Sequence, residues 1–217
     1  MRQLIILAAG GLAREAAEAV ARGMEWDLIG FLDDEPALVG TEVCGRPVLG
    51  AIADIVRYPE TSLLICAGSG QARRTIVRRL DELGVGADRY ATVVAPDVVV
   101  PRSCRVGGGS ILLSGTVLTA DVNVGRHVVT MPGVVLTHDN QINDFATLCA
   151  RVTLGGNVLV REAAYLGMGA TVRERLEVGE GSTLGMGAVL LRDLPDGETW
   201  VGVPAQPLRP SVHTQEI

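Results

Sequence analysis

Every sixth residue from Val94 to Leu190 is aliphatic, with one exception. Sixteen of these seventeen positions are Val, Leu or Ile, and the seventeenth, Thr130, is β-branched. A six-residue period matches neither an α-helix nor an alternating hairpin sheet. It matches a parallel β-helix of hexapeptide repeats, in which each hexad is one short strand and a turn. The aliphatic residue points into the prism. Two positions earlier a small or β-branched residue recurs (Cys104, Ser110, Thr116, Ala146, Ala164, Ala170, Ser182, Ala188), and directly after it glycine recurs (Gly107, Gly125, Gly155, Gly167, Gly179, Gly185). These glycines are expected to relieve the turns. Three hexads close one coil, so this stretch predicts about five coils in a column about 25 Å tall at the usual sheet spacing.

Composition agrees with a repetitive backbone. Aromatics are 3% of the 217 residues and glycines number 27. All 19 cationic residues are arginine. Without lysine there is no Schiff-base nucleophile and no GK[ST] phosphate loop. The formal charge of −6 argues against nucleic acid as a partner. No apolar run is long enough to span a membrane. The first residues run directly into a strand, so no signal peptide is expected. Cys44, Cys66, Cys104 and Cys149 are widely spaced and read as reduced thiols of a cytoplasmic protein.

Residues 1–90 carry a different pattern. Leu4–Leu7 is a buried strand ending in Ala8-Ala9-Gly10-Gly11, Ala13–Ala21 a helix, Asp27–Asp34 a strand ending in two acids, Pro47–Gly50 a short extended piece, Ser62–Gly68 a further strand and Gln71–Leu83 an arginine-rich helix. Strand, glycine turn, helix, strand is the start of a parallel α/β unit. Three segments are therefore expected: a small Rossmann-like domain at 1–90, a β-helix at 91–204 and a flexible tail at 205–217. The turn at Gly10-Gly11-Leu12 suits a phosphate, and Asp33-Asp34 suits ribose or base donors. Because Ala8 stands where the first fingerprint glycine belongs, a nucleotide site and a purely structural cap remain equal readings. Arg73, Arg74, Arg78 and Arg79 read as a solvated helix face.

Three histidines are present. His213 lies in the tail, and His127 sits in a turn without an acid beside it, which reads as surface. His138 falls at a corner of the column in Thr137-His138-Asp139-Asn140, where a carboxylate can orient an imidazole for general-base work. A solvated turn is the alternative. Three histidines, one of them in the tail, do not make a three-histidine metal site, so no metal is expected.

Taken together, Gly10-Gly11-Leu12-Ala13-Arg14-Glu15, Phe31-Leu32-Asp33-Asp34, Ile65–Gly68, Leu136-Thr137-His138-Asp139, Gly155-Gly156-Asn157-Val158, Gly185-Met186-Gly187-Ala188 and Val201–Ala205 resemble the hexapeptide sugar acyltransferases of the sialic-acid O-acetyltransferase type. That group includes N-acetyltransferases of nucleotide-linked amino sugars. The resemblance implies a homotrimer of left-handed β-helices with acetyl-CoA as cosubstrate in the groove between columns. It implies His138 as general base, with Asp139 raising its basicity, and the Gly156 amide facing the thioester oxygen. Thr147, Gly167, Met168, Gly185 and Met186 would line the acetyl-CoA groove. Gly10, Gly11, Leu12, Asp33, Asp34 and Gly68 would bind the nucleotide-sugar acceptor. An O-acetyltransferase of a sialic-acid-like sugar and a non-catalytic scaffold are the alternatives. Four positions depart from the family pattern. Leu12 and Thr147 stand where histidine is found in members, and Ala8 and Asn143 stand where glycine is common. Ala8 and Leu12 fall on the acceptor side, which therefore looks altered.

Overall fold

The computed structural model describes residues 1–208. His213 and most of the expected tail lie outside the described residues. The chain opens with β1 (Arg2–Leu7), α1 (Gly11–Arg22) and β2 (Trp26–Leu32). A short hairpin of β3 (Glu42–Val43) and β4 (Arg46–Pro47) follows, then β5 (Ser62–Ile65) and α2 (Gly70–Glu82). β1 lies between β2 and β5, and both pairings are parallel. Leu4, Ile5, Ile6 and Leu7 of β1 are fully buried. An all-apolar run is what a parallel strand covered on both faces requires. The observed β2 and β5 end at Leu32 and Ile65, short of the predicted ends at Asp34 and Gly68, and the chain bends at Asp34 and at Gly68–Ser69.

The β-solenoid has three faces of two-residue strands. Face 1 contains five strands, from Arg105–Val106 to Glu177–Val178, and face 3 contains five, from Val117–Leu118 to Val189–Leu190. Face 2 runs from Val93–Val94 through Thr147–Leu148 to Thr199–Val201. The chain visits face 1, face 2 and face 3 in turn, and each strand pairs with the one eighteen residues on, as Gln141 does with Leu159. The hexad aliphatics Leu136, Leu148, Leu154, Val160, Leu166 and Leu184 are fully buried. Each such side chain contributes about 1.5–3 kcal/mol. Thr130 also points inward. Its hydroxyl lies 3.0 Å from that of Thr116, which itself donates to the Leu113 carbonyl. Thr130 is therefore the donor, and its buried hydroxyl is satisfied.

Three details differ from the periodicity. Val100 is 37% exposed and in no strand, since Pro101 follows it and lacks the N–H that Ala95 and Gly107 donate to the coil above. Above Leu190 the period slips: Thr183 pairs with Tyr165, eighteen residues back, but with Thr199, only sixteen ahead. The tail expected to be flexible from 205 begins instead as an ordered strand. Ala205 is buried, and Gln206–Pro207 pairs antiparallel with Thr199–Val201, closing the upper edge of face 2.

The turns also use glycine differently from the expectation. The left-handed residue of each turn lies three positions after the inward aliphatic, as in Asp121, His127, Gly133, Asp139, Phe145 and Asn157. The glycines directly after the aliphatic serve close stacking of coils. A Cβ on Gly155 would stand 2.5 Å from the Glu174 nitrogen, and one on Gly167 would stand 2.7 Å from that of Met186.

Candidate active site

Eighteen residues per coil places His138, Gly156 and Glu174 one above another at the corner between faces 3 and 1. Asp139 adopts φ 62°, a left-handed conformation that Asp tolerates because its short polar chain bonds locally. This turn presents His138 outward. Its Nδ1 lies 2.7 Å from Asp139 Oδ2, and the two side chains are 66% and 56% exposed. A carboxylate only accepts, so Nδ1–H is the donor of this bond, and Nε2 makes no hydrogen bond to the protein among the described residues. A Cβ added to Gly156 would overlap the His138 ring at Cε1 and Nε2. Glycine at 156 is therefore what lets the imidazole lie this close to the next coil. The Gly156 N–H donates to no protein group among the described residues, whereas its carbonyl accepts from the Arg175 N–H at 2.9 Å. An open cleft of about 550 Å³ is lined by His138, Asp139, Gln141, Gly156, Asn157, Glu174 and Arg175. Glu174 and Arg175 belong to no motif, yet adding 36 to 138 and 139 finds them.

The predicted acetyl-CoA residues divide. Met168 and Met186, 53% and 70% exposed, stack one coil apart beside Gly167 and Gly185 at the corner between faces 2 and 3. Within one chain this corner is separated from the His138 corner by the width of face 3, a six-residue side spanning up to about 20 Å. Thr147 is not a groove residue in this chain. It is fully buried, its hydroxyl donates to the Gly68 carbonyl at 3.2 Å, and it accepts from Arg73 at 3.0 Å. The α/β domain covers it.

The predicted acceptor residues gather at the C-terminal edge of the small sheet, because β1, β2 and β5 are parallel and in register there. Gly10 and Gly11 are exposed, with no protein atom within 4 Å of where a Cβ would stand. No side chain caps the start of α1, so its first amides are open toward an anion. The two acids are already engaged. Asp33 accepts from the Ala9 amide at 2.7 Å and the Glu35 amide at 2.8 Å. Asp34 accepts from the Ile52 amide at 3.1 Å and from Arg79 at 2.6 Å. The Arg79 bond holds the Asp34 carboxyl below the usual carboxylate range. Contrary to expectation, Leu12 does not offer its side chain to the acceptor: the residue is 7% exposed and packs into the core.

Two further expectations are overturned by the docking of α2 on the corner between faces 1 and 2. Arg73 does not lie on a solvated face; it is fully buried. The signal was its place on the buried stripe Arg73, Ile76, Leu80 of the helix. Arg74 pairs with Glu162 and Glu180 of the column. His127, read as surface, is 3% exposed. It stacks on Phe145 with centroids 5.1 Å apart and meets Tyr90 edge-on at 4.6 Å. Burial lowers its pKa to about 4. Gly70 permits this docking, since a Cβ there would overlap the Phe145 carbonyl oxygen. Among the described residues no group of three metal-ligating side chains is present, and no helix is long and apolar enough to cross a membrane.

Comparison with known proteins gives consistent relatives. Residues 3–80 match the PglD N-terminal domain. UDP-N-acetylbacillosamine N-acetyltransferase of Bacillus subtilis (strain 168) is 31% identical over 116 residues, a stretch covering 52% of this chain and 52% of that protein. The acetyltransferase domain of PglB from Neisseria gonorrhoeae FA1090, solved in complex with acetyl coenzyme A, superposes with a TM-score of 0.87 at 32% identity, covering 95% of this chain and 99% of that one. PerB from Caulobacter crescentus, solved with CoA and GDP-perosamine, gives a TM-score of 0.87 at 29% identity, covering 96% and 98%.

Proposed function

We propose, from the premise that this chain belongs to the hexapeptide-repeat sugar acyltransferases with a PglD N-terminal domain, that it is an acetyl-CoA-dependent N-acetyltransferase of a nucleotide-linked amino sugar. The observation that carries this reading is the exposed His138–Asp139 pair lying against Gly156 in an open cleft. His138 Nε2 takes a proton from the acceptor amine as the nitrogen attacks the acetyl carbon. Asp139 holds the imidazole in the tautomer that makes Nε2 basic and stabilises the imidazolium that forms. The Gly156 N–H donates to the oxyanion of the tetrahedral intermediate. Loss of such a donor typically costs about 3–4 kcal/mol in the barrier. The C–S bond then breaks and CoA departs as the thiol, with the proton returned by His138.

The open amides at the start of α1, with Gly10, Gly11 and Gly68, hold the diphosphate of the acceptor. Gly167, Met168, Gly185 and Met186 line the donor groove. The width of face 3 between Met168 and His138 supports a site completed between copies, with the Met corner of one chain facing the His corner of its neighbour. Three copies close such heterologous contacts into a homotrimer.

The test is thiol release from acetyl-CoA by the purified chain with UDP-, GDP- and dTDP-linked amino sugars, beside free amino sugars and free sialic acid. Turnover with a nucleotide-linked amine is expected. Turnover with free sugars alone would remove the nucleotide from the reading and favour O-acetylation.

A further inference from the structure

We infer that Arg73 is a positioning residue for the acceptor, setting where the turn after β5 stands against the column. The inference rests on the reading above, in which Gly68 borders the acceptor site. Arg73 is fully buried, and no carboxylate pairs with it among the described residues. All of its donors instead serve oxygens at the junction. Nε donates to the His127 carbonyl at 2.9 Å. One terminal nitrogen donates to the Ala67 and Gly68 carbonyls at 2.9 and 3.2 Å. The other donates to the Phe145 and Ala146 carbonyls at 2.7 and 3.0 Å and to the Thr147 hydroxyl at 3.0 Å. The Thr147 hydroxyl in turn donates to the Gly68 carbonyl. Gly68 is thus held from two sides, by α2 and by face 2.

A buried cation is a costly way to join two domains, and an apolar side chain of similar size often serves stability equally well. What the guanidinium adds is direction. Its planar fork engages six acceptors on two domains at once. Burial lowers its pKa to about 10, which leaves it charged at neutral pH. The carbonyls of Ala67 and Gly68 lie in the turn just after β5, which borders the acceptor crevice, so this fork fixes the crevice relative to the column. A misplacement of about 1 Å costs roughly a hundredfold in rate.

The experiment compares Arg73→Lys and Thr147→Val with the unmodified full-length chain. It measures KM for the nucleotide-linked amino sugar and for acetyl-CoA separately, with the melting temperature and UDP and GDP binding by calorimetry. Thr147→Val removes one hydroxyl from the junction and keeps the fold testable should Arg73→Lys fail to fold. The expected result is an acceptor KM raised about five- to tenfold in Thr147→Val, and further in Arg73→Lys, with the acetyl-CoA KM within twofold. Both KM values rising together, or a lowered melting temperature with unmoved kinetics, would overturn the inference. No turnover by the unmodified chain with any nucleotide-linked amine overturns the proposed function and this inference with it. Normal turnover with an unmoved acceptor KM in both variants overturns this inference alone.

Discussion

Arg79 donates to Asp34 Oδ2 at 2.6 Å, tying the helix after β5 to the loop after β2. Both side chains are nearly half exposed, 45% and 43%, so the pair contributes at most about 1 kcal/mol. Asp34 has a lowered pKa in the folded chain, chiefly through the Arg79 bond. Its stabilisation is complete above the unfolded value of about 3.9 and is lost as pH falls through the folded value. Asp34→Asn is expected to lower the urea-unfolding free energy by less than about 1 kcal/mol at pH 7. The difference should shrink toward pH 3, and a difference that grew in acid would contradict the assignment.

His138→Ala should abolish most turnover while leaving acetyl-CoA binding intact. General-base catalysis typically contributes 10²- to 10⁴-fold. The check is kcat with calorimetric titration of acetyl-CoA on the same preparation. Near-normal kcat in this variant would remove His138 from the mechanism.

Gly156→Ala should damage catalysis without damaging the fold. The new Cβ would overlap the His138 ring, which is exposed and free to move aside. Displacing a base by about 1 Å costs on the order of a hundredfold in rate. Kinetics and a melting curve together separate the outcomes: kcat falling with an unchanged melting temperature is expected, and wild-type kcat would mean the imidazole does not work from this position.

His127 predicts an acid-sensitive junction. Its folded pKa of about 4 lies below the unfolded value of about 6.5. The neutral ring's stabilisation is full above 6.5 and is lost as pH falls toward the folded value, about 2 kcal/mol of it by pH 5. His127→Asn suits the left-handed backbone at φ 54°. It should be less stable at pH 7.5 yet lack this part of the slope between pH 7 and 5. Parallel pH–stability curves for the two proteins would refute the account.

Inside the column, Leu154→Ala and Thr130→Val should behave oppositely. Leu154 is fully buried, and truncation there costs about 2–5 kcal/mol through the cavity left behind. Thr130→Val removes only a donor. Thr116 keeps its 2.7 Å bond to the Leu113 carbonyl, so the change is expected to stay within about 1 kcal/mol. Urea midpoints of the two variants decide it, and a Thr130→Val loss matching that of Leu154→Ala would mean the Thr116–Thr130 bond is essential to the column.

The hexad period dictates the column, its coil length and the corner that carries His138. A strand that repeats every eighteen residues stacks on its own next copy, so Leu136, Leu154 and Val172 must share one interior line and His138, Gly156 and Glu174 one corner. The strand–turn–helix start was legible for the same local reason. Tertiary structure alone decided what covers each corner. Arg73 and Arg78 stand in one arginine run, yet Arg73 is buried and Arg78 exposed, because burial follows the helix face that meets the column. His127 and His138 are both turn histidines, and only the first lies under α2. Val100 fits the period but is followed by Pro101, which cannot donate to the coil above, and the period slips by two residues above Leu190. Burial and pairing depend on what arrives from elsewhere in the chain, and no local pattern of residues carries that information.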